Sequence, residues 1–77
     1  MPQGADQSLI DKCAEYLRTS YGEELVHCTV LQDSVEDGEG RLLTECVVRV
    51  GGSTSRWRKT FTFEEGDVVH MSWKHLG

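Results

Sequence analysis

Two hydrophobic periods divide the chain. From Ser8 to Tyr21 the apolar positions Ile10, Cys13, Ala14, Leu17 and Tyr21 recur at i, i+3, i+4, i+7 and i+11, one face of an α-helix. Ser8 suits an N-cap, and Asp11 falls in the first turn, where the helix dipole favours an acid. Gly22 suits the left-handed position that stops a helix. After Gly22 the period becomes two. Val26, Cys28 and Val30 alternate with His27 and Thr29 in a strand over 25–35. A second run, 41–50, sets Leu42, Cys46, Val48 and Val50 against Glu45 and Arg49. A third, 55–63, sets Trp57, Phe61 and Phe63 against Arg56, Arg58, Thr60 and Thr62. The last, 67–74, sets Val69, Met71 and Trp73 against His70 and Ser72. Richness in Val, Thr, Phe and Trp between glycine corners is the signature of strands.

The corners predict the pairing. Gly38-Glu39-Gly40 and Glu64-Glu65-Gly66 read as three-residue hairpin loops, and Gly52-Ser53 as a two-residue loop. They place Asp37 opposite Arg41, Gly51 opposite Thr54, and Phe63 opposite Asp67. The predicted fold is α+β and two-layered: one N-terminal helix packed on a four-stranded antiparallel meander, α-β-β-β-β. Residues 1–7 read as a flexible N-terminal tail and 8–77 as a single domain. Facing the helix, the rows are Val30–Val48–Trp57–Trp73 and Gln32–Cys46–Lys59–Met71, with Phe61 facing Val69. The two tryptophans become core neighbours, Cys28 and Cys46 are not opposite each other, and Lys59 falls on the helix side, where either it lies over the tryptophan rings with its ammonium at the rim or a bulge resets the register.

The other face carries the candidate chemistry. Its predicted rows are Thr29–Arg49–Arg56–Lys74, Leu31–Val47–Arg58–Ser72, Asp33–Glu45–Thr60–His70 and Val35–Leu43–Thr62–Val68. Arg49, Arg56, Arg58 and Lys74 gather at one end. Like charges across strands repel, so such a cluster points to an anionic partner or phosphate, or else to a solvated face neutralised by residues such as Glu45. Val35, Leu43 and Val68 make the other end mildly apolar. Strand alternation turns Trp57 away from Arg56 and Arg58. The basic face therefore has no ring on which a base could stack.

Charge sharpens this picture. Eight basic and thirteen acidic residues give a net charge of −5 over 77 residues. Residues 1–40 hold nine acids and two bases, whereas 41–59 hold five bases and one acid. The balance argues against a histone-like polycation, and the length against a multi-domain enzyme with a two-lobed cofactor site. The final strand is a second candidate surface. Val68-Val69-His70-Met71-Ser72-Trp73 has no charge and no proline, and an edge strand of that kind invites pairing with another chain. Its edge candidates are Val68, His70 and Ser72.

Catalysis has little support. No P-loop, nucleophile elbow or dinucleotide fingerprint occurs, and Asp33, Glu45 and His70 lie on a face with no concavity to shift a pKa. Cys13, Cys28 and Cys46 show no paired metal-ligand spacing, so neither a zinc site nor another cofactor is expected. Free thiols and the absence of a basic, apolar leader point to the cytoplasm, and no run is long enough to enter a membrane. One helix followed by a meander resembles the cystatin-type arrangement in outline. The inhibitor's Gln-x-Val-x-Gly hairpin would fall at Gln32–Glu36, where the residues do not match, so no functional residue carries over. The reading is a small non-enzymatic interaction module. It acts through the open sheet face or an edge strand, with a protein partner or as a homodimer. The alternative is binding of a phosphate-rich ligand or single-stranded nucleic acid by the basic patch.

Overall fold

The structure, a computed structural model, describes the backbone from Pro2 to Gly77 and the side chains from Gln7 onward. Helix α1 (Pro2–Tyr21) is followed by β1 (Glu24–Asp33), β2 (Gly40–Val50), β3 (Ser53–Glu64) and β4 (Asp67–His75). The strands form one antiparallel sheet in the order β1-β2-β3-β4, with the helix across one face. This is the expected two-layer α+β fold. The helix begins before Ser8, which is therefore an interior position and not the N-cap. The side chains of the expected tail lie outside the described residues, apart from Gln7, whose amide donates to Asp11.

Gly22 stops the helix as predicted, with φ +67°. Its N–H donates to the Arg18 carbonyl and the next N–H, of Glu23, to the Leu17 carbonyl, which gives these two carbonyls near the helix end their partners. This left-handed cap turns the chain back over the sheet and delivers Glu23 to the interior.

The first and third hairpins turn more tightly than the sequence predicts, and the middle one keeps its two-residue loop but sits one residue earlier. Val50 pairs with Ser53 around Gly51-Gly52, Glu64 with Asp67 around Glu65-Gly66, and Glu36 bridges Glu39 around Asp37-Gly38. Both central residues have positive φ in every case: 57° and 89°, 53° and 83°, 54° and 79°. These are type I′ turns, whose twist matches that of paired strands. Glu65 is an unusual occupant of such a position. Its N–H is held by the Glu39 carboxylate at 2.8 Å, and the Gly66 N–H by the Gly38 carbonyl at 3.1 Å. The first and third turns thus brace each other. Beside them Gly40 (φ +135°) has no room for a side chain: a Cβ there would lie 2.2 Å from the Ser34 carbonyl oxygen.

The core forms between the helix and the inner sheet face. Cys13 and Leu17 meet Leu42, Cys46, Val48, Phe61, Phe63 and Met71. Alternate positions of β2 and β3 are buried, as a half-covered sheet requires. Three bulges adjust the outer strands. On β1 they leave Val26 and Leu31 unpaired, and on β4 they leave Val69 unpaired. All three of these residues are exposed. The bulge reverses the expected positions of two valines. Val68 packs against the core opposite Phe63, whereas Val69 projects to solvent.

Candidate functional site

The open face is built by β2 and β3, with His27 and Thr29 of β1 and His70, Ser72 and Lys74 of β4 at its margins. Arg49, Arg56, Arg58 and Lys74 share this face, as predicted, but not in the predicted rows. Arg49 lies opposite Glu24 and Thr54, Arg56 opposite Val47, and Arg58 between Glu45 and Lys74. Two of the four are engaged. The Arg49 guanidinium meets the Glu24 carboxylate through two contacts of 3.2 Å. That pairing holds the Glu24 carboxyl below its ordinary value and raises Arg49. Arg56 reaches Glu45 at 3.5 Å. Arg58 and Lys74 stand directly across from one another, and neither forms an ion pair among the described residues.

The apolar end of this face is smaller than predicted, because Val35 and Val68 turn into the core and only Leu43 remains. Nor is the end flat. A concavity of about 540 Å³, lined by Gln32, Ser34, Arg41, Leu43, Thr60 and Thr62, lies under the 34–40 loop. The acid–base groups are not assembled there. Asp33 pairs with Leu42 and accepts the Val35 N–H at 2.9 Å, Glu45 pairs with Thr29, and His70 pairs with Thr62. The predicted opposition of Asp33 and Glu45 is overturned by the shift of β1 along β2.

The two sheet edges differ. β1 is broken by two bulges, the common way of blunting an edge. β4 is unbulged from His70 to His75 and exposed along most of its length. Of the predicted edge residues, His70 and Ser72 face the open side, opposite Thr62 and Thr60, and Val68 is directed to the core. The chain beyond β4 does not fold back across this edge. Leu76 N–H donates to the Arg56 carbonyl, and Arg56 N–H to the Gly77 carbonyl, so the terminus continues along β3.

Trp73 was expected under the helix beside Trp57. It lies instead opposite Lys59, is 56% exposed, and meets the edge of the Tyr21 ring at 6.4 Å. The Trp57 and His75 rings pack with centroids 4.5 Å apart and planes tilted by 51°. Trp57, Trp73, Tyr21 and Met71 wall a cleft of about 140 Å³ whose floor is Lys59 and Glu23. Lys59 does lie over the Trp57 ring, its Nζ 4.9 Å from the centroid. Yet it is only 2% exposed, and its ammonium pairs at 3.4 Å with a Glu23 oxygen that has no hydrogen-bond partner. Glu23 is the residue that sequence reasoning missed. It lies between the two periodic patterns, and only the left-handed cap turns it inward.

The shift of β1 also brings Cys28 directly opposite Cys46, contrary to the predicted register. Their sulfurs are 3.8 Å apart, and the Thr44 hydroxyl lies 3.1 Å from the Cys46 sulfur. All three thiols are free. No group of three His, Cys, Asp or Glu side chains among the described residues is placed to hold a metal ion, and none of the described helices is long and apolar enough to cross a membrane. Compared with protein families, with curated proteins and with solved structures, the chain matches none. The outline likeness to the cystatin-type arrangement therefore brings no relative with it.

Proposed function

We propose that this chain is a non-enzymatic interaction module of the cytoplasm that acts through the β4 edge, by antiparallel pairing with β4 of a second copy. The observation that carries this reading is the contrast between the edges. β1 is interrupted by bulges at Val26 and Leu31, while His70–His75 offers a continuous strand that carries the half-exposed Trp73. An open edge offers backbone hydrogen bonds, and an adjoining aromatic supplies apolar area. Charge fits self-pairing too. Two β4 strands running in opposite directions bring Asp67 of each copy toward Lys74 and His75 of the other. The free thiols of Cys13, Cys28 and Cys46 support a reducing compartment. Sedimentation is expected to show a dimer, and Trp73→Lys a monomer with an unchanged far-ultraviolet spectrum. A wild-type chain that stays monomeric at the highest soluble concentration overturns the reading.

A second reading rests on Arg58 and Lys74, the cross-strand cations without an acidic partner among the described residues. They suit a phosphate-rich ligand better than single-stranded nucleic acid, because the rows of the open face contain no Phe, Tyr or Trp. With two cations in play, the logarithm of a single strand's affinity is expected to fall with log salt at a slope of about −1.4. A chain of polyphosphate that fails to bind at low salt, or binds Arg58→Ala equally well, ends this alternative.

A further inference from the structure

Cys28 and Cys46 occupy facing positions of β1 and β2 on the helix side of the sheet. Facing residues of an antiparallel ladder have Cα atoms about 4.5–5.5 Å apart, and a disulfide accepts about 4.4–6.8 Å. The backbone needs no rearrangement. Closing the sulfurs from 3.8 Å to a bond takes only side-chain rotation. The surroundings differ for each thiol. Cys46 is fully buried against the Thr44 hydroxyl, on the same inner face as the Lys59 ammonium. The hydrogen bond with Cys28, then Thr44 and the charge of Lys59, pull the Cys46 thiol down to about 7, against the effect of burial. Cys28 is pushed up, first by its hydrogen bond with Cys46 and then by burial. It is half-buried on the edge strand, which gives a small oxidant access. Cys13, on the helix, is pushed up by burial and then by the charge of Cys46, and it has no cross-strand pairing with either sulfur.

We propose that Cys28 and Cys46 form a redox-modification site, which a small hydroperoxide oxidises to a reversible intramolecular disulfide. One sulfur of the pair, as its thiolate, attacks a peroxide oxygen. The S–O bond forms, the O–O bond breaks, and the departing oxygen takes up a proton and leaves as water from hydrogen peroxide, or as the alcohol from an organic hydroperoxide. The second sulfur then attacks the sulfenic sulfur. The S–S bond forms, the S–O bond breaks, and hydroxide leaves as water with the remaining thiol proton. With hydrogen peroxide, two thiols lose two protons and two electrons, and the peroxide becomes two waters. A dithiol reductant reverses the product by exchange.

The test is hydrogen peroxide titration of the native chain, followed by alkylation in denaturant and mass spectrometry. The expected product has lost two hydrogens, alkylates once instead of three times, and joins the peptides of Cys28 and Cys46. Cys13→Ser is expected to behave alike, and dithiothreitol to restore the thiols. Cys28→Ser and Cys46→Ser are each expected to gain oxygen without losing two hydrogens. The proposal is overturned if the native wild-type chain gains oxygen and forms no cross-link. A bond that involves Cys13, or one that forms only after unfolding, overturns it equally.

Discussion

Glu23→Ala is expected to lower the free energy of unfolding by about 3–5 kcal/mol, the cost of stranding a buried charge. Lys59 is 2% exposed and its carbonyl already accepts the Thr44 hydroxyl, so the segment cannot swing out without breaking the inner face of β3. The face of Trp57 remains for the ammonium, at 4.9 Å. That contact contributes about 2 kcal/mol at most and does not replace a carboxylate. The pair is not a stabilising device in itself. Replacing both charges together, as in Glu23→Leu with Lys59→Met, is expected to recover most of the loss, because two apolar side chains need no desolvation of ions. Urea unfolding of the two single variants and the double variant closes the cycle. A cost below about 1 kcal/mol for Glu23→Ala shows that water already reaches Lys59 through the aromatic cleft.

The same cluster shows what the sequence could and could not disclose. Helix, strands and their order were legible, because the periods of 3.6 and two are written in the apolar positions themselves. The turns were less so. Glu65 at a positive φ is an improbable choice on its own, and what favours it is a carboxylate from Glu39, 26 residues away in the chain. The predicted register was consequently wrong, but by even steps over most of the sheet. Gly51 was set against Thr54 where Val50 meets Ser53, a change of two in the pairing sum, which keeps every side chain on its own face. That is why Arg49, Arg56, Arg58 and Lys74 fall on one face while their cross-strand neighbours differ from the predicted ones. Odd steps occur only at the bulges, and they account for the residues whose faces were misplaced, among them Val68, Val69, Gln32, Asp33 and Val35. Bulges answer to sheet twist and edge protection, which leave little local mark in sequence. The opposition of Cys28 and Cys46 was lost for a related reason, since it lies between the two bulges of β1.

The division between core and surface aromatics gives the second large effect. Phe61 is fully buried between Leu42 and Met71, in the middle of the inner face. Phe61→Ala removes most of that side chain from a cluster to which a short chain can add little, and is expected to cost about 3–5 kcal/mol. At about 0.05–0.15 kcal/mol per residue, a chain of this length has about 4–12 kcal/mol in all, so the variant is expected to lose from about a quarter of its stability to all of it. Phe61→Leu keeps more of the volume and is expected to lose less than half as much. Trp73→Ala removes a larger ring, yet more than half of Trp73 already faces water, so its cost is expected to be well below that of Phe61→Ala. The ranking separates the observed fold from a register that places both tryptophans in the core, since that register makes Trp73 the costlier loss. Circular dichroism during urea unfolding reads the order directly. A Trp73→Ala variant less stable than Phe61→Ala contradicts the placement of β4 and, with it, the exposed edge on which self-pairing depends.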